Sequence, residues 1–481
     1  MNIHIHHGDV FLLDLRTRLP FKYGIATMTR TPHAFVRVHV DIDGKPSIGV
    51  AADHLPPKWF TKDPAKPIDE EIDEMLRVIT RALELATGLR AASPFDAWRR
   101  LNEAQSSWGR GERLPPLLTQ FGTSLVERAM IEAVCRASGE PFARMLNGNR
   151  LGIRLGEIHP ALEGLVPADL LPEQPVTRVV ARHTVGMADP LVDADIAAAE
   201  RLDDGLPQSL EACIQAYGLR HFKIKLSGAI ASDVERLRRV AEVIETHAPA
   251  DYAFSLDGNE QFRALADFRA FWDALGRRAD FRRFFTHLLF VEQPFHRDVA
   301  LRSDAVAGLA DWPDRPPLII DESDAEIESL PQALRLGYAG TSHKNCKGVF
   351  KGIVNACLLA QRRRERPNSS LILSGEDLAN IGPVALLQDL AVCAVLGITS
   401  VERNGHHYFA GLSMFPQEVQ RQVLQAHGDL YRPSRDGWPT LSIRDGGLSI
   451  RSLLSAPFGV GFPLRVEQFS SLDDWRQANR H

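Results

Sequence analysis

The sequence predicts an α/β protein whose larger part is a closed parallel (β/α) barrel. Three observations carry this reading. Eight short apolar runs recur between residues 176 and 405, their starts separated by roughly the 30 residues of one βα unit. Helical patterns such as "ASDVERLRRVAEVIETH" and "GPVALLQDLAVCAVLG" lie between the runs. No Gly-rich fingerprint follows the first run, as an open doubly wound sheet would usually show, so the strands are expected to close on themselves.

In chain order, the first 150 residues mix strands and helices. "IHIHH" (3–7) alternates, which fits a strand with its histidines in water better than a metal motif. "FVRVHVDIDGK" (35–45) sets Val36, Val38, Val40 and Ile42 on one face and turns at Asp43-Gly44, the arm of a hairpin with one buried face. "PIDEEIDEMLRVITRALELATG" (67–88) opens acidic, keeps helical apolar spacing and ends at Gly88. "SLVERAMIEAVCRASGEPFARML" (124–146) is a second helix with a Gly-Glu-Pro stop. The barrel strands are then "VTRVVARHTVG" (176–186), "HFKIKL" (221–226), "YAFSLD" (252–257), "HLLFVEQ" (287–293), "PLIIDE" (317–322), "GYAGTSHK" (337–344), "LILSGE" (371–376) and "ITSVERNG" (398–405). The last sixty or so residues, with "LSIRDGGLSI", look like strands that return to the N-terminal region. The expected division is 1–150, an α+β region; 176–415, the barrel; and 416–481, a segment packing back on the first.

Bulk properties exclude several classes. Of 481 residues, 44% are hydrophobic and 24% charged, as in soluble globular chains. A formal net charge of −5 gives no broad basic field, so no nucleic-acid partner is expected. No apolar run is long enough for a membrane helix, and "MNIHIHHGDV" is not a secretory signal. Five scattered cysteines without CxxC spacing read as reduced thiols, so a cytoplasmic location is expected.

The chemistry lies at the C-terminal ends of the runs, where barrels of this kind place it. In "HFKIKL", Lys223 and Lys225 point to the same face, an arrangement with a Coulombic cost unless water or an anion meets it. The third run ends in Asp257 with Asn259 beyond, the fourth in Glu292, the fifth in Asp321 and the sixth in Lys344. Three carboxylates on successive strands would repel one another without a cation. An oxygen-only donor set suits Mg²⁺, with Mn²⁺ as the alternative. Lysines on either side suit removal of a proton alpha to a substrate carboxylate, with the developing enediolate held by the metal and nearby cations. Lys225, nearer the strand end, is the expected base, Lys223 lowers its pKa and helps neutralise the substrate, and Lys344 faces the other side of the same carbon. Any one of these motifs alone is weak, since a lone KxK is usually a solvated edge strand. Their joint order at barrel spacing is what carries the reading.

With these motifs the sequence resembles the enolase superfamily, in its muconate-lactonizing-enzyme-like branch (the mandelate racemase/muconate lactonizing enzyme family). The resemblance implies a barrel of the modified TIM type with an α+β capping domain built from the N-terminal region and the C-terminal tail. "FKYGIATMTRTPHAFVRV" (21–38) looks like the family's mobile specificity loop followed by a strand, and the 124–146 helix like the one that closes the cap. Asp257, Glu292 and Asp321 match the metal ligands, with Asp321 preferred over Glu322 on register. Lys225 matches the base, Lys223 its helper and Lys344 the lysine of the sixth strand. Tyr23 and Arg30, with Thr27 and Met28, are expected near the distal part of the substrate, and Asn259, Ser374 and Glu402 among the substrate-binding residues. His406, His407 and Tyr408 of "GHHYFAG" are further candidates for the pocket wall.

The match also excludes relatives. The histidine and aspartate pair of mandelate-racemase-like members is absent from the seventh and sixth strands. Glu402-Arg403-Asn404 breaks the Asp-x-Asp of dipeptide epimerases. The expected function is Mg²⁺-dependent epimerisation or racemisation of a small carboxylate by a homo-oligomer. Cycloisomerisation or dehydration through the same enediolate is the alternative, and a catalytically silent binding barrel the alternative of another class. Zinc hydrolysis would need histidines clustered at strand ends, and His183 and His343 do not make such a set. Extra length near 100–115, 157–177, 265–285 and 295–316 is expected to form enlarged loops or subunit contacts.

Overall fold

The computed structural model describes residues 1–479. It begins with three long antiparallel strands, β1 (Ile3–Tyr23), β2 (Ala26–Ile42) and β3 (Lys45–His54), joined by tight turns at Gly24-Ile25 and Asp43-Gly44. The register runs from Ile3 opposite Ile42 to Tyr23 opposite Ala26. The stretch 21–38, expected as a mobile loop followed by a strand, is the tip of a hairpin and its return strand. β2 alternates buried and half-buried residues from 37 to 42, as its pattern predicts, but residues 32–36 are buried on both faces. The reason is the C-terminal segment, which lays Phe469 on Phe35 at 4.5 Å and turns Phe415 edge-on to His33.

Four helices and a short strand complete this cap: α1 (Ile68–Ala86), β4 (Arg90–Ala91), α2 (Pro94–Gly111), α3 (Pro116–Ser138) and α4 (Phe142–Asn147). Part of the extra length near 100–115 is thus helical. Ser93 caps α2 by accepting from the Asp96 amide, and Pro94 occupies its first turn. α3 starts earlier than expected and stops at Gly139, whose φ of 65° ends it before α4. It is buried almost all round because it lies between the cap sheet, α1, α2 and the barrel. Close approach explains Gly49, where a Cβ would stand 1.9 Å from the Ala129 carbonyl oxygen. Arg128 of α3 meets Asp53 of β3 at 2.9 Å, both fully buried.

Glu127 gives the cap a pH dependence. It faces the barrel and accepts from the Phe350 amide at the start of the Val349–Glu365 helix. Burial pushes its carboxyl from 4.5 up to about 8. A carboxyl whose folded pKa is raised favours folding when protonated, so this contribution is lost as pH rises from the unfolded to the folded value. Wild-type stability is expected to fall across that window. Glu127→Gln, which keeps the accepting oxygen, should flatten the decline in urea titrations at pH 5 and pH 8.5. An unchanged slope would refute the assignment.

The barrel strands are β5 (Arg178–Val185), β6 (His221–Lys225), β7 (Ala253–Asp257), β8 (Leu288–Glu292), β9 (Leu318–Ile320), β10 (Gly340–His343), β11 (Ile372–Gly375) and β12 (Ser400–Arg403). Each falls in one of the eight predicted runs. Neighbours pair in parallel, and β12 pairs with β5, which closes the barrel. Beyond residue 415 the chain serves both sheets. After the hairpin β13 (Tyr431–Pro433) and β14 (Pro439–Leu441), β15 (Gly447–Ser449) adds antiparallel to the start of β5. β16 (Ser470–Ser471) then pairs with β1 in the cap. The C-terminal strands therefore join the barrel as well as the cap. Among the described residues no helix is long and apolar enough to cross a membrane.

Candidate active site

Strand register explains how distant residues meet. Lys225 stands opposite Asp257 in the β6–β7 ladder, and Asp257 opposite Glu292 in β7–β8, so three charges lie level at the barrel's C-terminal mouth. Asp321 follows β9 directly and Lys344 follows β10. All of these side chains and Lys223 are buried. Both lysines of the KxK pair point inward, so the solvated-edge explanation for that strand does not apply.

Lysine ammoniums link the carboxylates. Lys223 Nζ lies 2.7 Å from Glu292, 2.8 Å from Glu376, 2.9 Å from Glu402 and 3.1 Å from Asp257. Lys225 Nζ is 2.8 Å from Asp257. Lys344 donates to Asp321 and lies 3.9 Å from Glu292. Lys347 holds the other oxygen of Asp321 at 3.2 Å and bonds the Ser342 carbonyl at 2.6 Å. Asp257 and Glu292 thus meet through Lys223, and Glu292 and Asp321 through Lys344, where convergence on a single point was expected. Burial works against the Lys223 charge, but the four carboxylates override it and raise its pKa well above the ordinary lysine value. Glu292 is driven towards its neutral form: burial, with Glu376 beside it, pushes its carboxyl well above the usual range.

Two supporting groups were missed in the sequence. Glu376, just past β11, accepts from Arg182 and Ser374 as well as Lys223. Thr184 donates to Glu402 at 2.6 Å. The acidic end of "LILSGE" was a signal for Glu376, but its cationic partners are far away in the chain.

A buried pocket opens over these groups. The hairpin tip contributes Tyr23 and Met28, and the loop after β3 contributes Trp59 and Lys62. The barrel contributes Lys223, Lys225, Lys344, Asp257, Asn259, Asp321, Glu322 and Glu402. Tyr23 donates its hydroxyl to the Pro57 carbonyl at 2.8 Å, and Lys344 Nζ sits 5.0 Å over the Trp59 ring. Asn259 is held in a left-handed conformation, with its amide bonded to Asp257 at 2.9 Å and Lys62 on its carbonyl at 2.6 Å.

Other expected residues lie elsewhere. Arg30 and Thr27 are exposed on β2, outside the pocket, because the hairpin turns those side chains to solvent. Ser374 is taken up by Arg182 and Glu376 beneath the floor. His406, His407 and Tyr408 are buried behind the barrel wall and do not line the pocket. Glu292 lies below the lining residues.

The carboxylates suit a hard divalent cation. Asp257, Glu292 and Asp321 offer oxygen only. Neither carboxylate oxygen of Glu292 is reached by a well-aligned hydrogen bond, and Asn259 Oδ1 and Glu322 Oε2 are buried without partners. Glu322 beside Asp321 is pushed up to about 7, by burial first and then by Asp321.

In fold, the barrel with its cap is similar to solved structures of several isomerising enzymes. Similar solved structures include muconate lactonizing enzyme from Pseudomonas fluorescens, with a TM-score of 0.61 at 17% identity, covering 96% of this chain and 97% of that one. 2-Chloromuconate cycloisomerase from Rhodococcus opacus 1CP gives 0.59 at 16% identity, over 97% and 99%. N-succinyl Arg/Lys racemase from Bacillus cereus gives 0.56 at 16% identity, over 94% and 97%. No protein-family model and no curated protein sequence matches the chain.

Proposed function

We propose that this protein is an epimerase or racemase that removes the proton alpha to the carboxylate of a small substrate, with Asp257, Glu292 and Asp321 holding Mg²⁺ or Mn²⁺. The observation that carries the reading is the opposition of Lys225 and Lys344 across one buried pocket. Lys225 ends β6 and Lys344 follows β10, four strands apart in an eight-stranded barrel. Each is ion-paired to a different carboxylate of the triad. Bound there, a divalent cation would polarise the substrate carboxylate and offset the charge that develops on it.

The remaining work falls to the chain. Lys225, in its neutral form, takes the proton from one side of the alpha carbon. Lys344, as an ammonium, returns one from the other side, and solvent resets both amines. Lys223 stays protonated among its four carboxylates and acts as a fixed cation beside the reacting centre. Trp59 and the hairpin tip bearing Tyr23 exclude water.

A second reading, cycloisomerisation or dehydration, shares the first proton transfer and ends in beta-elimination. It is supported by the likeness to two cycloisomerising enzymes. The test is incubation of the Mg²⁺-loaded protein with a panel of chiral carboxylates in D₂O, read by NMR and polarimetry. Alpha-deuteration with loss of optical purity is expected, and a metal chelator should stop it. Ring opening or loss of water would favour the second reading. No exchange with any acid would favour a silent barrel.

A further inference from the structure

We infer that His183, Cys213 and His407 form a structural zinc site behind the barrel wall, separate from the oxygen-lined pocket. The three come from β5, the Leu210–Tyr217 helix and the short Gly405–Tyr408 helix after β12. Their ligand atoms all lie within 4.8 Å of one another. Cys213 Sγ and His407 Nδ1 are 3.6 Å apart. A tetrahedral zinc ion with Zn–S of about 2.3 Å and Zn–N of about 2.0 Å spans a sulfur–nitrogen edge of about 3.5 Å. The Cys213–His407 edge therefore already has the length the metal needs.

Their chemistry agrees. All three are buried, and neutral imidazoles with a thiolate are the forms that hold zinc. His183 Nδ1 lies 3.1 Å from His406 Nε2. A hydrogen bond there leaves Nε2 of His183 free, the outer arrangement that metal-binding histidines use. In that arrangement His406 carries its own proton on Nδ1, which is buried and has no partner. Asp189 acts electrostatically on both His183 and Cys213, and its carboxylate is pushed up by burial. The Cys213 thiolate and the Asp189 carboxylate would offset the charge of the ion, with Arg18 opposing them from beside Cys213 and His407. On binding, the Cys213 S–H proton leaves to solvent and a Zn–S bond forms, with no change of oxidation state. A nitrogen and sulfur set selects zinc over the Mg²⁺ expected at Asp257, Glu292 and Asp321.

The site has a use for the pocket. Arg18 of β1 donates to the His407 carbonyl at 2.9 Å, and Phe21 stacks on Tyr408 at 4.1 Å. Zinc at His407 would fix the segment on which the hairpin tip carrying Tyr23 rests, a positioning role.

The experiment uses the full chain dialysed against Mg²⁺ buffer, with metal content by mass spectrometry. One zinc per chain is expected. Replacement by Co²⁺ should give a thiolate-to-cobalt charge-transfer band in the near ultraviolet. Two partly exposed histidine clusters on the cap, His4, His6 and Asp41, and His7, Asp9 and His39, could also take zinc but contain no thiol. The zinc should survive the paired substitutions His6→Ala and His39→Ala and be lost in Cys213→Ser. Zinc should also raise the melting temperature of the wild type and not that of Cys213→Ser. Absence of zinc, its retention in Cys213→Ser, or a cobalt spectrum without the charge-transfer band would overturn the inference. If Cys213→Ser does not fold, the wild-type cobalt spectrum decides alone.

Discussion

Lys225→Ala is expected to lose alpha-proton exchange from one stereoisomer of the substrate by about 10²–10⁴-fold, the usual contribution of a positioned base, while exchange from the other stereoisomer persists. Lys344→Ala should give the mirror result. The asymmetry follows from the pocket. The two amines sit on strands on opposite sides of the barrel, so each can reach only one face of a planar carbon between them. Neither lysine can stand in for the other without crossing the substrate. Exchange of each enantiomer in D₂O, followed separately by NMR, is the measurement. Loss of both exchanges in Lys225→Ala would point to a single base and favour the elimination reading, in which Lys344 is only an electrostatic clamp. Exchange of both isomers in Lys225→Ala would remove it from the mechanism.

The barrel was legible because its strands are short apolar runs, the second to sixth of them ending in a charge, and both signals are local. "HFKIKL", "YAFSLD" and "HLLFVEQ" carry their own period and their own catalytic candidate within six or seven residues. The cap was less legible where its context is non-local. α3 reads only as a helix with a Gly-Glu-Pro stop, yet it is buried nearly all round because three layers meet on it. The hairpin tip at Gly24 resembles a loop in sequence, since its long arms are held by cross-strand pairing and by the tail. α2 had a readable start in Ser93-Pro94, with Phe95, Trp98 and Leu101 on one face, and went unread. Pairing partners inside the site were the hardest to see. Glu376 is tied to Arg182 and Lys223, residues that lie 194 and 153 positions away. No spacing rule links them, only the closure of the barrel. The same closure answers why a buried strand carries two lysines: they enter an acidic interior.

That interior makes Lys223 the residue whose loss should cost the most stability. Its ammonium touches Asp257, Glu292, Glu376 and Glu402, and none of the five side chains is open to water. Lys223→Met keeps the stem and removes the charge, leaving four carboxylates that repel one another. Removing one partner of a buried ion pair typically costs about 3–5 kcal/mol, and this ammonium has four partners. The carboxylates can escape only by taking up protons, towards which burial already pushes Glu292 and Glu376. Their folded pKa values would then lie above the unfolded ones, so the variant should lose stability as pH rises through that interval. Urea midpoints at pH 5 and pH 8 measure this, and the deficit against wild type should be larger at pH 8. Adding Glu376→Gln removes one of the stranded charges, so the double variant should be more stable than Lys223→Met alone, a coupling that a purely steric defect would not produce. A Lys223→Met protein with wild-type midpoints at both pH values would show that the ammonium does not hold the acidic centre together.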